Sequence, residues 1–292
     1  MATSTQWVEG ARPRTLPAAI SPVVTGSGMA AHAGGFAFWP ALLCLVVALA
    51  LQVGVNYAND YSDGVRGTDT DRVGPMRLVG SGVARPEQVK AAAFGCFGVA
   101  ALAGLGIVLI TQLWWLLLVG AAAIAAAWFY TGGKRPYGYL GLGELFVFVF
   151  FGLVAVGGTV LVQVGHTTPA TWAAAVTIGA LACAILVANN LRDLRGDAAV
   201  GKRTLATRLG DRGTRWFFAA LVLLAVVGVL LVAAWTTPWA LLGLAMLAFL
   251  VTPVREVLAG GTGRALIGVL KQIGIGELAA AVGLAVGLVI GR

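Results

Sequence analysis

The sequence predicts an all-α membrane protein, a bundle of nine transmembrane helices with its active site on the cytoplasmic side. Three observations predict it. Of 292 residues, 59% are hydrophobic and 11% charged, and the mean hydropathy is +0.89, well outside the averages of soluble domains. The apolar residues fall in runs of about 17–25, the length a bilayer crossing needs. Finally, 19 of the 20 Lys and Arg residues sit in alternate connecting segments, as the bias of short cytoplasmic loops requires.

The first span, near 16–33, follows an interfacial arm that carries Trp7, Glu9, Arg12 and Arg14. Ala31-His32-Ala33 resembles a small-residue cleavage site, but Pro17 and Pro22 interrupt the stretch before it, so it is read as a span rather than a leader. Arg12 and Arg14 are read as lipid anchors. Further spans fall near 38–58, 88–110, 113–130, 144–164, 171–191, 214–234, 237–254 and 273–290. With the N-terminus cytoplasmic, Arg66 to Lys90, Lys134-Arg135, Arg192 to Arg215 and Arg255 to Lys271 all lie inside, and only Arg292 lies outside with the C-terminus. The outer loops are bordered by Trp39, Trp114, Trp115, Trp172, Trp235 and Trp239, as interfacial indoles should be.

The net charge of +8 therefore reports topology and suggests no nucleic-acid partner. Cys44, Cys96 and Cys183 lie within spans without metal-ligand spacing and are read as packing residues. Nothing in the sequence assigns an oligomeric state. The chain is read as one domain over 1–292.

Two inner loops are long, roughly 59–87 and 192–213, and both begin with a polar run that closes an apolar stretch. The runs are Asn56-Tyr-Ala-Asn59-Asp60-Tyr-Ser-Asp63 and Asn189-Asn190-Leu-Arg192-Asp193-Leu-Arg-Gly-Asp197. In each, an Asn is followed four residues later by an Asp and then by a second Asp, so a helix stacks all three on one face. Carboxylates at a helix C-terminus oppose the macrodipole. A shared divalent cation removes that conflict, and hard oxygen ligands suit Mg²⁺ holding substrate phosphates.

Ionising an allylic or polyprenyl diphosphate needs metal ions on the phosphates together with cationic side chains. Asp60, Asp63, Asp193 and Asp197 are the candidate metal ligands and catalytic acids, with Asn56 and also Asn59 and Asn189 beside them. Arg66, Lys134, Arg135 and Lys202 are the candidate diphosphate contacts. Tyr130-Thr-Gly-Gly-Lys134-Arg135 reads equally as a phosphate loop and as a Gly-capped helix end. Asp69, Asp71 and Asp211 also fit ordinary solvated charge, while Glu144 and Glu277 either help hold an acceptor or snorkel to the interface. As plain loop charge, the acidic runs would pair only with neighbouring Arg, but ionisable groups at a membrane edge default to function.

The chain resembles the intramembrane aromatic prenyltransferase superfamily of the UbiA type over nearly its whole length. The resemblance rests on Ala11-Arg-Pro-Arg-Thr-Leu-Pro-Ala-Ala19, on Asn56 through Asp69, on Tyr130-x-x-x-Lys134 with Pro136 through Glu144, and on Asn189 through Asp193 with Gly201 through Ala206. Within the superfamily these stretches are similar to the dihydroxynaphthoate polyprenyltransferases of menaquinone synthesis. Gly67 stands where many members carry a third acid, and Asp69 is the nearest substitute. The resemblance implies transfer of a polyprenyl group from polyprenyl diphosphate to 1,4-dihydroxy-2-naphthoate in the plasma membrane. Loss of CO₂ and diphosphate would then give demethylmenaquinone, with Mg²⁺ as cofactor, and Tyr130, Asn56, Asn59 and Asn189 are carried as positioning residues for the acceptor.

Two alternatives remain at this point, and a third fails. Hydroxybenzoate or another ring acceptor defines other branches of the superfamily. The CDP-alcohol phosphotransferase opening, Asp-Gly-x-x-Ala-Arg, fails at Asp63-Gly64-Val65-Arg66-Gly67. A secondary transporter would place its acids toward the midplane on broken helices.

Overall fold

Helices are the only regular elements among the described residues. The computed structural model describes residues 2–67 and 76–292, so Asp69, Asp71 and Arg72 lie outside the described residues. A short arm, α1 (Ser4–Ala11), is opened by the Thr3–Gln6 capping box and ends at Arg12, whose backbone is left-handed with φ 54°. A 3₁₀ turn at Pro13–Thr15 leads into α2 (Pro17–His32). Then come α3 (Phe38–Arg66), α4 (Pro86–Thr111), α5 (Leu116–Phe129), α6 (Gly143–Val164), α7 (Pro169–Ala199), α8 (Leu205–Trp235), α9 (Pro238–Leu258) and α10 (Arg264–Ile290).

Seven of these helices, α3, α4 and α6 to α10, are long and apolar enough to cross a membrane among the described residues. The chain is thus a multi-pass, all-helical membrane protein. The two other expected spans correspond to α2, with 16 residues and an internal proline at Pro22, and α5, with 14. At 1.5 Å per residue these rise only about 24 and 21 Å, short of a hydrocarbon core of about 30 Å.

Two helices run well past their expected membrane spans. The spans are expected to end near 58 and 191, and the helices α3 and α7 continue beyond them to Arg66 and Ala199, as the one-face stacking of the acidic runs requires. Both acidic runs are therefore helical throughout. Asn and Asp weaken a helix when they compete for their own backbone; here most of the run's side chains bond to other groups, so the helix persists until Gly67, with φ 69°, caps α3. In α8 the backbone breaks at Gly210 (φ 70°, ψ 178°), which separates a short segment from the long apolar one that the sequence indicates.

The bundle is organised around α7, whose apolar window is 78% buried, against 22–50% for the other six crossing helices. Without a hydrophobic drive between helices in lipid, small residues that let backbones approach hold them together. Gly152 in the π-helical stretch of α6 (Phe148–Val154) meets Gly179 of α7, where an added Cβ would lie 2.8 Å from the Gly179 Cα. A Cβ at Gly287 of α10 would lie 2.0 Å from the carbonyl oxygen of Trp239 on α9. Gly287→Ala must therefore push α10 away from α9 and is expected to cost about 3 kcal/mol, the upper end of overpacking. A melting temperature in detergent equal to that of the parent would contradict this packing.

Arg215 ties the start of the long α8 segment to the end of α9. It pairs bidentately with Asp211 and donates to the carbonyls of Val257 and Gly261. Asp211 is thus the ion-pair partner of Arg215.

Candidate active site

The functional end of α3 is built together with the N-terminal arm. Asn56, Asp60 and Asp63 share one face of the helix and are all buried, as their spacing demands. The Asn56 amide donates to the Ala11 carbonyl at 2.9 Å and to Thr15 Oγ1 at 3.0 Å, while Gln52 donates to the same Thr15 hydroxyl at 2.9 Å. The Tyr57 hydroxyl donates to the Trp7 carbonyl at 2.9 Å, and the two rings meet edge to face at 5.6 Å. The Asn56 amide nitrogen therefore serves the arm, and only its carbonyl oxygen remains for a ligand.

Asp60 uses both carboxylate oxygens locally, accepting from the backbone N–H of Leu78 at 2.8 Å and of Val79 at 3.0 Å. These bonds pin the returning chain against α3. Arg12 lies close enough for its charge to act on Asp60. The anchor reading of Arg12 is thus corrected, because the left-handed turn after α1 brings its side chain inward, whereas Arg14 stays exposed. The signal in the sequence was its position in the Ala11-Arg-Pro-Arg stretch rather than any local pattern.

Asp63 accepts a hydrogen bond of 2.6 Å from the Tyr139 hydroxyl. Asn59 accepts one of 2.7 Å from Thr131. The Arg66 guanidinium donates to the carbonyls of Thr131 and Gly133 and lies over the Tyr139 ring at 5.5 Å. Lys134 and Arg135 follow as exposed residues. Tyr137 donates to the Ala126 carbonyl at 2.8 Å, and burial raises its phenol well above the ordinary range, so it acts as a neutral donor.

The second run sits on α7. Arg192 forks onto both oxygens of Asp193, at 2.7 and 2.8 Å, and reaches Asn189 Oδ1 at 2.9 Å. Asp193 therefore already has a cationic partner, which a metal ion would have to replace. Lys202 lies 3.8 Å from Asp197 and 4.6 Å from the Tyr139 ring centroid. The backbone N–H of Arg203 donates to the Tyr139 carbonyl at 3.1 Å.

Tyr139 thus joins the two runs, with Asp63 of α3 on its hydroxyl and Lys202, the partner of Asp197, on its ring. No role for Tyr139 was assigned in the sequence reading, because 76 residues separate it from Asp63. Glu144 and Glu277 are both buried, which corrects the snorkelling reading. Glu144 accepts from Asn190 at 2.9 Å.

Next to these groups lies a cavity of about 540 Å³. Asn56, Asn59, Tyr130 and Tyr137 form its polar end, and Cys44, Leu116, Phe150 and Val162 lie along its apolar part. Fifteen residues of α3 separate Asn59 from Cys44, a rise of about 22 Å. A separate cavity of about 630 Å³ is lined by His32, His166 and Trp235 and by no residue of either acidic run, whereas Asn56 and Asn59 of the first run line the cavity beside α3.

Residues 19–265 match the UbiA prenyltransferase family. The chain belongs to that family. Its relatives include the 1,4-dihydroxy-2-naphthoate octaprenyltransferase of Mycobacterium tuberculosis, 53% identical with 100% of this chain and 99% of that protein covered. The Escherichia coli protein of the same name is 40% identical, with 74% of this chain and 72% of that protein covered. Among solved structures, a UbiA homolog from Aeropyrum pernix K1 superposes with a TM-score of 0.72 at 15% identity, covering 96% and 98% of the two chains. A UbiA homolog from Archaeoglobus fulgidus bound to GPP and Mg²⁺ gives 0.69 at 13% identity, covering 98% and 99%. These two show a shared UbiA fold.

The donor set of this UbiA-family chain fits Mg²⁺ in kind, since the acids on α3 and α7 offer only hard oxygens. Among the described residues no three His, Cys, Asp or Glu side chains gather closely enough to hold an ion by themselves. That agrees with the habit of Mg²⁺, which keeps several waters and takes one or two carboxylates plus substrate phosphates rather than a protein cage.

Proposed function

We propose that this chain transfers a polyprenyl group from polyprenyl diphosphate to 1,4-dihydroxy-2-naphthoate with loss of CO₂ and diphosphate. The observation that carries the reading is that Tyr139 links Asp63 to Lys202, the partner of Asp197, beside an apolar cavity whose polar end holds Asn56 and Asn59. A diphosphate head fits the acids and cations beyond the Asn59 end of the cavity, and a prenyl chain fits its apolar part. The chemistry of the acceptor follows the 1,4-dihydroxy-2-naphthoate octaprenyltransferases that the chain matches along its length.

Asp63 and Asp197, with Asp60 and Asp193, are assigned to hold Mg²⁺, and Arg66, Lys202, Lys134 and Arg135 to contact phosphate oxygens. Bound Mg²⁺ supplies neutralisation of the charge that develops on the leaving diphosphate. As the prenyl C–O bond breaks, the cations on Tyr139 face the same developing charge without reorganising. The ring carbon bearing the carboxylate then forms the new C–C bond. The electrons of its bond to the carboxylate return to the ring as CO₂ leaves, which gives demethylmenaquinone in its reduced quinol form. No external base is required in this balance. Asn59 and Tyr130, at the polar mouth of the cavity, are assigned to position the acceptor, with Asn56 and Asn189.

We place the site at the cytoplasmic face of the plasma membrane, with nine spans, a cytoplasmic N-terminus, an outer C-terminus and the whole chain as one prenyltransferase domain. The Lys and Arg gathered at the acidic end support that orientation. The experiment supplies membranes that contain the protein with Mg²⁺, octaprenyl diphosphate and either dihydroxynaphthoate or hydroxybenzoate. Transfer to dihydroxynaphthoate alone is expected, and equal or preferred transfer to hydroxybenzoate would overturn the acceptor.

A further inference from the structure

We propose that Tyr139 is the positioning residue that makes the two acidic runs act as one site, its hydroxyl orienting Asp63 and its ring aligning Lys202 and Arg66. The inference rests on the diphosphate reading above and adds to it a residue that is neither acid nor base.

The tyrosine is held independently of its own side chain. It lies in the 3₁₀ turn Tyr137–Leu140, closed by Gly141 with φ 73°. The Gly138 N–H donates to the Tyr130 carbonyl at 3.0 Å, and the Arg203 N–H donates to the Tyr139 carbonyl at 3.1 Å. A side chain at Gly138 has no room, since its Cβ would lie 2.6 Å from the Tyr130 carbonyl oxygen. The ring is thus presented from a fixed turn.

The hydroxyl and the ring then do separate things. At 2.6 Å the hydroxyl makes a short charge-assisted bond to Asp63, of the kind that fixes a carboxylate ligand and tunes it for an ion. The ring lies 4.6 Å from the Lys202 ammonium and 5.5 Å from the Arg66 guanidinium, within the range of cation–π attraction. Two flexible cations are thereby held on one platform before any phosphate arrives. Lys202 also keeps its contact with Asp197 at 3.8 Å, so the ring links α3 to the end of α7.

Two substitutions separate these contributions, because Tyr139→Phe removes only the hydroxyl while Tyr139→Leu removes the ring as well. Mn²⁺ binding to the purified full-length protein, in the presence of an unreactive prenyl diphosphate analogue, is read by electron paramagnetic resonance. The Phe variant is expected to bind Mn²⁺ about tenfold more weakly, as loss of an outer-sphere partner typically does. Its KM for polyprenyl diphosphate at saturating Mg²⁺ should stay within about twofold, and raised Mg²⁺ should restore its turnover. The Leu variant should in addition show a KM for polyprenyl diphosphate raised by about fivefold or more, from loss of the cation platform. If the Leu variant does not fold in detergent, the Phe variant alone decides. Parental Mn²⁺ affinity in the Phe variant, or a turnover loss that Mg²⁺ does not rescue, overturns the proposal. Parent protein that transfers no prenyl group in the same assay removes the diphosphate reading itself, an outcome distinct from a failure of Tyr139 alone.

Discussion

Asp63→Asn is expected to lower turnover by about a hundredfold or more, the scale on which one preorganised electrostatic group acts in a transition state, while leaving the melting temperature in detergent unchanged. The amide keeps the shape of the carboxylate and an oxygen that can accept from Tyr139, so packing on α3 survives. Only the charge that would face the ion is lost. Prenyl transfer and melting measured on the same sample check both halves, and near-parental turnover would refute the assignment. From the sequence alone, Asp60→Asn and Asp193→Asn serve the test equally well. In the folded protein they do not, because both oxygens of Asp60 accept backbone N–H groups and both oxygens of Asp193 are held by Arg192. Those two substitutions mix a folding loss with a chemical one.

Arg192→Ala is the second large effect expected, and it acts first on stability. The Arg192 and Asp193 side chains are 5% and 12% exposed, so removing the guanidinium takes a bidentate cationic contact from a nearly buried carboxylate. Breaking a buried pair from one side costs about 3 kcal/mol or more. Added Mg²⁺ should recover part of the lost melting temperature, because an ion that binds the folded state stabilises it by mass action. A variant as stable as the parent without Mg²⁺ would contradict a stabilising role for the Arg192–Asp193 pair.

The sequence revealed the membrane-crossing stretches and the two acidic runs for the same reason: each is a local pattern. Apolar runs mark α3, α4 and α6 to α10, and the spacing of Asn56, Asp60 and Asp63 marks one buried helix face. Helix ends were less legible. How far the helices run beyond the apolar spans depends on distant partners of Asn56 and Asp60, namely Ala11, Thr15, Leu78 and Val79. Arg12 and Tyr139 were missed for the same reason, since nothing near either residue in the chain announces the group it meets. Long-range contacts decide them.

The central claim is that α3 and α7 grip one diphosphate through metal ions between their acidic runs. It is tested most directly by anomalous diffraction from the protein with Mn²⁺ and an unreactive prenyl diphosphate analogue. Mn²⁺ is expected between the Asp63 and Asp197 carboxylates, with the diphosphate against Arg66 and Lys202 and the prenyl chain running toward Cys44. Mn²⁺ on one run alone, or a diphosphate bound away from Tyr139, would contradict it.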